Sequence, residues 1–176
     1  MIKKILKNNL NSFFFLFDSR LDTNLISKLA PENFKIIKAS EYNRTVFYKN
    51  KQSVFNHFFC FANVPPPIQL VKPVTIYFHN DLILNSKNTK MGLFQRVKFQ
   101  IKKSYIHFKN NKHYHWAVQT DLMKENLIKE LKINSVNILV LPFFNSLIPI
   151  SLNVTIPNTF LYVANYTNNK NHEKLI

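Results

Sequence analysis

Short apolar runs alternate along this chain with segments whose apolar residues recur at helical spacing. Runs of β-branched and aromatic residues predict eight strands, at residues 13–17, 34–38, 45–48, 58–62, 74–78, 116–119, 136–141 and 159–164. The run at 58–62 is apolar throughout, which is typical of a parallel strand that is buried on both faces. The pattern therefore favours a largely parallel sheet.

Helical periods fall between these runs. They predict a short helix over 22–29 that ends before Pro31, a long helix over 91–108, and the start of a helix at 171–176. Thr120 or Asp121 is expected to cap a further helix that places Met123, Leu127 and Leu131 on one face. Alternating strands and helices predict an α/β fold, a Rossmann-like parallel sheet with flanking helices.

The candidate binding residues follow predicted strands. Ligands of parallel α/β sheets bind beyond the carboxyl ends of the strands, and this rule selects the loops at 63–67, 79–81 and 119–121. The sequence His79-Asn80-Asp81 offers an imidazole and two further polar side chains that can bind a hydroxyl or a phosphate. The alternative is a histidine that only forms hydrogen bonds within its own loop.

Composition and charge narrow the choice of partners. The 176 residues include 24 Lys and Arg against 9 Asp and Glu, a net charge of +15, which favours anionic lipid, nucleic acid or phosphorylated ligands. With Gly92 as the single glycine, dinucleotide and Walker phosphate loops are excluded. With Cys60 as the single cysteine, an internal disulfide and a Cys-rich zinc site are excluded, and its apolar neighbours predict a buried, unreactive thiol.

Targeting signals are weak. The apolar run that follows the basic N-terminus is too short for a secretory signal, and no run is long enough to span a membrane. We therefore expect a cytoplasmic protein.

The segment between Asp81 and Asp121 is strongly basic and contains no acidic residue. On the predicted helix 91–108 and just beyond it, apolar residues recur at helical spacing, namely Leu93, Phe94, Val97, Ile101, Tyr105 and Phe108. A basic amphipathic helix of this kind predicts contact with an anionic membrane surface through Arg96, Lys98, Lys102, Lys103 and Lys109. The alternative is an ordinary surface helix whose apolar stripe packs on the sheet.

Two further kinds of site find less support. Four aromatic residues interleave with lysines, as in a nucleic-acid stacking groove: Tyr105, Phe108, Tyr114 and Trp116. Two of them fit the helix stripe, and Trp116 begins a predicted buried strand, so core positions are favoured. His107, His113 and His115 lack a third ligand nearby in sequence, so neither a metal nor any other cofactor is expected.

Several short motifs occur in an order that resembles the retaining nucleotide-sugar glycosyltransferases of the two-domain GT-B type, in the large family called group 1. They are a strand followed by His79-Asn80, the segment 116–120 leading into a helix with Met123 and Leu127, the strands 138–143 and 160–164, and Lys170-Asn171-His172 with Leu175. The resemblance covers roughly residues 58–176, and residues 1–57 match only loosely.

The resemblance implies an incomplete GT-B fold with an acceptor-binding domain at 1–145, a linker at 146–158, and the start of a nucleotide-sugar-binding domain at 159–176. It implies that His79 is catalytic, and the expected substrate-binding residues are Asn80, Asp81, Gln119 and Thr120. The implied activity is hexosyl transfer from a nucleotide-sugar to a glycan or lipid-linked acceptor in cell-envelope polysaccharide synthesis. Family members often work peripherally at the inner face of the cell membrane.

The chain also departs from the family. The glycine-rich loop of the first domain is missing, and Ala164-Asn165 replaces the usual glycine–arginine pair. The donor-binding basic residues and paired glutamates would lie after residue 176. We therefore expect a truncated chain that is inactive alone or that works with a second chain carrying the donor domain. The alternative is a non-enzymatic basic module for nucleic acid or anionic membrane.

Overall fold

The computed structural model describes residues 13–21, 26, 29–85 and 91–142. The strands are β1 (Phe15–Asp18), β2 (Phe34–Ile37), β3 (Phe58–Cys60), β4 (Val74–Phe78), β5 (His115–Val118) and β6 (Ile138–Val140). The helices are α1 (Glu41–Lys51), the single turn α2 (Leu82–Asn85), α3 (Leu93–Lys109) and α4 (Asp121–Leu131). Most of the predicted helix 22–29, the linker and the strand and helix predicted after residue 158 lie outside these residues.

All strand pairing in this part of the chain is parallel. β1 pairs with β2, and β3, β4, β5 and β6 form a four-stranded sheet whose spatial order follows the chain. The predicted class, an α/β fold with parallel strands and flanking helices, is confirmed. It is consistent with a Rossmann-like domain.

The hydrophobic core lies on one face of the four-stranded sheet. Inward-facing strand residues such as Ile76, Phe78 and Trp116 join residues from all four helices in a single buried cluster. Strands that are neighbours in chain order and linked by right-handed crossovers place their connections on the same side of the sheet. The described helices therefore cover one face.

The other face of the sheet carries apolar side chains that remain accessible. Phe59, Phe61, Leu139 and Leu141 are all exposed by 42% or more of their surface. The expectation that 58–62 is buried throughout is therefore wrong. Phe58 and Cys60 point into the core, while Phe59 and Phe61 stack on the opposite face beside Tyr77.

The strand predicted at 45–48 is also wrong, because these residues belong to α1. Ser40 caps this helix by accepting a hydrogen bond from the Asn43 backbone N–H at 3.1 Å. The helical turn carries Phe47 and Tyr48 into the core. Burial of these two rings outweighs the strand preference of β-branched and aromatic residues.

The other elements predicted within the described residues match the structure closely. The Thr120 hydroxyl caps α4 by accepting from the Met123 N–H at 3.2 Å, and Leu127 and Leu131 are buried as expected. β6 is shorter than predicted, because Val136 and Asn137 form a 3₁₀ turn before it.

Candidate functional site

The carboxyl ends of the parallel strands meet at one edge of the sheet. Phe78 of β4 pairs with Val118 of β5, so His79 and Gln119 leave the sheet side by side. The loop after β3 reaches the same place, because the side chain of Asn63 contacts His79. The structure thus brings together the three loops that the sequence selected.

Asn63 holds this edge together, although in the sequence it is marked only by its position after a strand. Its Oδ1 accepts hydrogen bonds from the backbone N–H groups of His79, at 2.7 Å, and Asn80, at 3.0 Å. Its φ is 62°, a left-handed conformation that asparagine tolerates better than most residues. Asn63 is also the buried polar residue of the described core, with 6% of its surface exposed.

The orientation of Asn63 assigns the protons of His79. Because Oδ1 accepts both backbone bonds, the Asn63 Nδ2 faces His79 Nε2, at 3.3 Å, and must donate to it. The neutral ring then carries its proton on Nδ1, which is enclosed by the protein.

Burial lowers the pKa of His79, and the positive charge of Lys102 lowers it further, while the Tyr77 backbone acts in the opposite direction. The ring stacks on Phe61 with centroids 5.4 Å apart and lies beside the Tyr77 ring. His79 is therefore neutral at pH 7, oriented as a hydrogen-bond donor rather than as a cation.

Lys102 of α3 makes the edge electropositive. Burial lowers the pKa of its ammonium, and Lys98, Arg44 and Arg20 lower it further, in that order. Arg44 lies at the same loop, since its Nη2 donates to the Pro65 carbonyl at 3.1 Å. Within the described residues Lys102 forms no ion pair, so this part of the edge favours an anionic ligand.

Other predicted site residues have their polar atoms engaged inside the protein. The Asp81 carboxylate accepts from Asn85 at 2.8 Å and from Asn126 at 3.0 Å, which ties α2 to α4. Asn80 Oδ1 accepts from the Leu82 N–H at 3.2 Å at the start of α2. Both side chains therefore hold the loop in place.

The turn after β5 is similarly engaged. Thr120 caps α4, as described above, and Gln119 forms a hydrogen bond with Tyr77 that lowers the Tyr77 pKa against the larger effect of burial. The Tyr77 hydroxyl donates to the Leu141 carbonyl at 3.0 Å. Gln119 and Tyr77 thus join the ends of β4, β5 and β6.

The five basic residues predicted to contact a membrane divide into two groups. Arg96 and Lys98 are exposed. Lys103 instead pairs with Glu130 of α4, Lys109 donates to the Pro67 carbonyl at 2.6 Å, and Lys102 is half-buried. The inward-facing side of α3 therefore holds basic residues as well as Ile106, which is fully buried.

The other candidate sites do not assemble. Trp116 and Tyr114 are buried and the Tyr105 hydroxyl donates to Glu41, so these rings form no stacking platform with Phe108. No cluster of three metal-ligating side chains occurs among the residues that the structure describes.

Cys60 is buried beside the Tyr48 hydroxyl, and burial raises its thiol pKa, in agreement with the expected unreactive role.

Two surface hollows lie at the amino edge of the sheet, away from His79. One is lined by residues that include Thr75, His115 and Ile138, and the other by Asn110, Tyr114 and Asn134. Polar side chains there bond to each other or to the backbone: Trp116 Nε1 donates to Asn110 Oδ1, and Asn137 Nδ2 donates to the Lys112 carbonyl. These hollows therefore carry no chemistry comparable to the carboxyl edge.

The fold and the site define an α/β domain of Rossmann-like form with a polar, electropositive edge at the carboxyl ends of its strands. Comparisons of the chain with protein-family models, curated proteins and solved structures found no match. Among the described helices, none combines the length and the apolar character needed to cross a bilayer.

Proposed function

We propose that this chain supplies the acceptor-side domain of a glycosyltransferase that moves a hexosyl group from a nucleotide-sugar to a glycan or lipid-linked acceptor. The observation that carries the proposal is the juxtaposition of His79 and Gln119 at the carboxyl edge, with Asn63 fixing the turn that contains the imidazole. The motif resemblance described above gives this edge its sugar-transfer interpretation.

The chemistry of the edge suits a sugar carrying phosphate. The half-buried Lys102 attracts a phosphate, and it lies close enough to His79 for its charge to lower the imidazole pKa. Phe61, which is 43% exposed beside the imidazole, provides an apolar surface for a sugar ring. His79 acts here by shaping the edge next to this charge, with its ring held by Asn63 and Phe61.

The proposal assigns stabilisation of the leaving nucleoside diphosphate to groups outside this edge. Departure of a nucleoside diphosphate requires donors or cations aimed at the developing charge. In the proposal these belong to the donor-binding domain expected from residue 159 onward or to a second chain. The Asp81 carboxylate has no role in proton transfer, because two asparagine amides already occupy it.

Ligand binding tests the proposal directly. Saturation-transfer NMR of the full chain against glucose 1-phosphate, mannose 1-phosphate and N-acetylglucosamine 1-phosphate, soluble probes for the head of a lipid-linked acceptor, should detect binding of at least one. Lys102→Gln should weaken that binding about tenfold, the effect of one charge-assisted contact worth ~1.4 kcal/mol. The matched control is Lys112→Gln, an exposed lysine outside the carboxyl edge. Absence of binding by the whole panel, or equal effects of both variants, would contradict the proposal.

A further inference from the structure

The outward side of α3 carries a stripe of apolar side chains. Leu93, Phe94, Val97, Ile101 and Phe108 are exposed by 79%, 83%, 49%, 65% and 81% respectively. At about 100° per residue these five positions fall within an arc of about 100° on the helix surface. We call them the α3 stripe. A contiguous apolar patch of this kind on a surface helix marks an interaction site.

The stripe is not a core face that has been left uncovered. On the opposite side of α3, Ile106 is fully buried and Phe99 packs against the core. Lys103 and Lys109 bond to Glu130 and to the Pro67 carbonyl on that inward side. The helix is thus seated on the protein by its basic side and presents its apolar side outward, contrary to the alternative expected from sequence.

The charges around the α3 stripe indicate which kind of partner can bind it. Lys98 is exposed within one turn of Phe94, Val97 and Ile101, and no acidic residue occurs between Asp81 and Asp121. A second copy of this chain would bring two domains of net charge +15 together, so self-association through this face is disfavoured. Nucleic acid would satisfy the cations but would leave five apolar side chains against phosphate.

We infer that α3 lies flat on an anionic bilayer, with the α3 stripe inserted at the boundary of headgroups and acyl chains and Lys98 at the level of the lipid phosphates. A helix with an apolar face and basic flanks is the form that binds in the membrane interface. This inference does not depend on sugar transfer, because it rests on α3 and uses neither His79 nor Gln119.

Vesicle sedimentation of the full chain tests the inference. The wild type should bind phosphatidylcholine vesicles containing 30% phosphatidylglycerol and should bind pure phosphatidylcholine much less. Phe94→Asn combined with Ile101→Asn should lower binding at least about tenfold, since each side chain loses buried apolar area. Lys98→Gln should lower it about fivefold, the equivalent of about 1 kcal/mol for one charge near an anionic surface.

Matched controls distinguish insertion of the α3 stripe from nonspecific hydrophobic adsorption to vesicles. Val71→Asn and Val136→Asn remove equally exposed apolar side chains from other surfaces and should leave vesicle binding unchanged. All five changed positions are exposed, so the variants should fold, which far-UV circular dichroism verifies. In a second measurement, the fluorescence of Phe94→Trp should shift to the blue on adding anionic vesicles, while that of Val71→Trp should not.

Three results would overturn the inference. One is vesicle binding that stripe and control variants reduce equally. Another is a wild type that does not sediment with anionic vesicles. The third is a dimer, formed without lipid, that Phe94→Asn with Ile101→Asn dissociates, because the stripe would then be a protein interface.

Discussion

Replacing Asn63 with alanine should destabilise the domain by about 3 kcal/mol. The substitution removes the acceptor of two backbone N–H groups, those of His79 and Asn80. Each lost bond costs about 1 kcal/mol when the donor is partly buried. Alanine must also adopt the φ of 62°, which adds about 1 kcal/mol because its Cβ crowds the following carbonyl in this region.

A series at this position separates the two contributions. Asn63→Gly loses the same hydrogen bonds but accepts the left-handed backbone, so it should cost about 2 kcal/mol. Asn63→Asp keeps both backbone bonds but replaces the Nδ2 donor to His79 Nε2 with an acceptor, so it should cost less than the glycine variant without being neutral. The carboxylate would also raise the pKa of His79, because an opposite charge favours the imidazolium.

Urea unfolding monitored by circular dichroism gives the free energies, and NMR of the histidine ring gives the pKa. A stable domain of this size has about 5–15 kcal/mol in total, so losses of 2 to 3 kcal/mol are easily measured. A cost of Asn63→Ala below about 1 kcal/mol would contradict the two hydrogen bonds assigned to this side chain. A glycine variant less stable than the alanine variant would contradict the cost assigned to the left-handed backbone.

Three further predictions concern other parts of the fold. Thr120→Ala should lower the free energy of unfolding by about 1 kcal/mol through loss of the α4 cap, whereas Thr120→Ser should retain most of it in the same urea assay. Stability should fall as the pH drops below about 6.5, because histidine in the unfolded chain binds a proton more readily than buried His79 does; His79→Gln should flatten this slope. Cys60 should react slowly with a thiol reagent in the folded protein and rapidly in urea, and equal rates would contradict its burial.

The parallel sheet and its carboxyl-edge loops could be predicted because they depend on local pattern. Val74–Phe78 is a strand in both sequence and structure, and the Thr120 cap follows from residue type and position. Long-range contacts decide what the local pattern does not show. The 45–48 segment is helical because tertiary burial favours Phe47 and Tyr48 there, and Asp81 is occupied by Asn126, 45 positions away.

Among the candidate site residues, too, the local pattern predicts some positions and long-range packing decides the others. The sequence selects His79 by its place after a strand, but the residue that orients its ring is 16 positions earlier in another loop. The sequence pattern predicts Lys102 as a membrane contact, because it does not show which basic residues of a helix face the protein. Its half-buried place beside the sheet edge depends on the rotation of α3, which the packing of Ile106 and Phe99 decides.

The rotation of α3 links the two proposals physically. Because the helix seats its Lys102–Lys109 side on the loop after β3, it supplies positive charge to the carboxyl edge and turns its apolar stripe outward. If the stripe lies on a bilayer, the same helix therefore joins the membrane surface to the edge that holds His79. An acceptor embedded in that bilayer by its lipid would reach the edge through its phosphate, which is the group that Lys102 can bind.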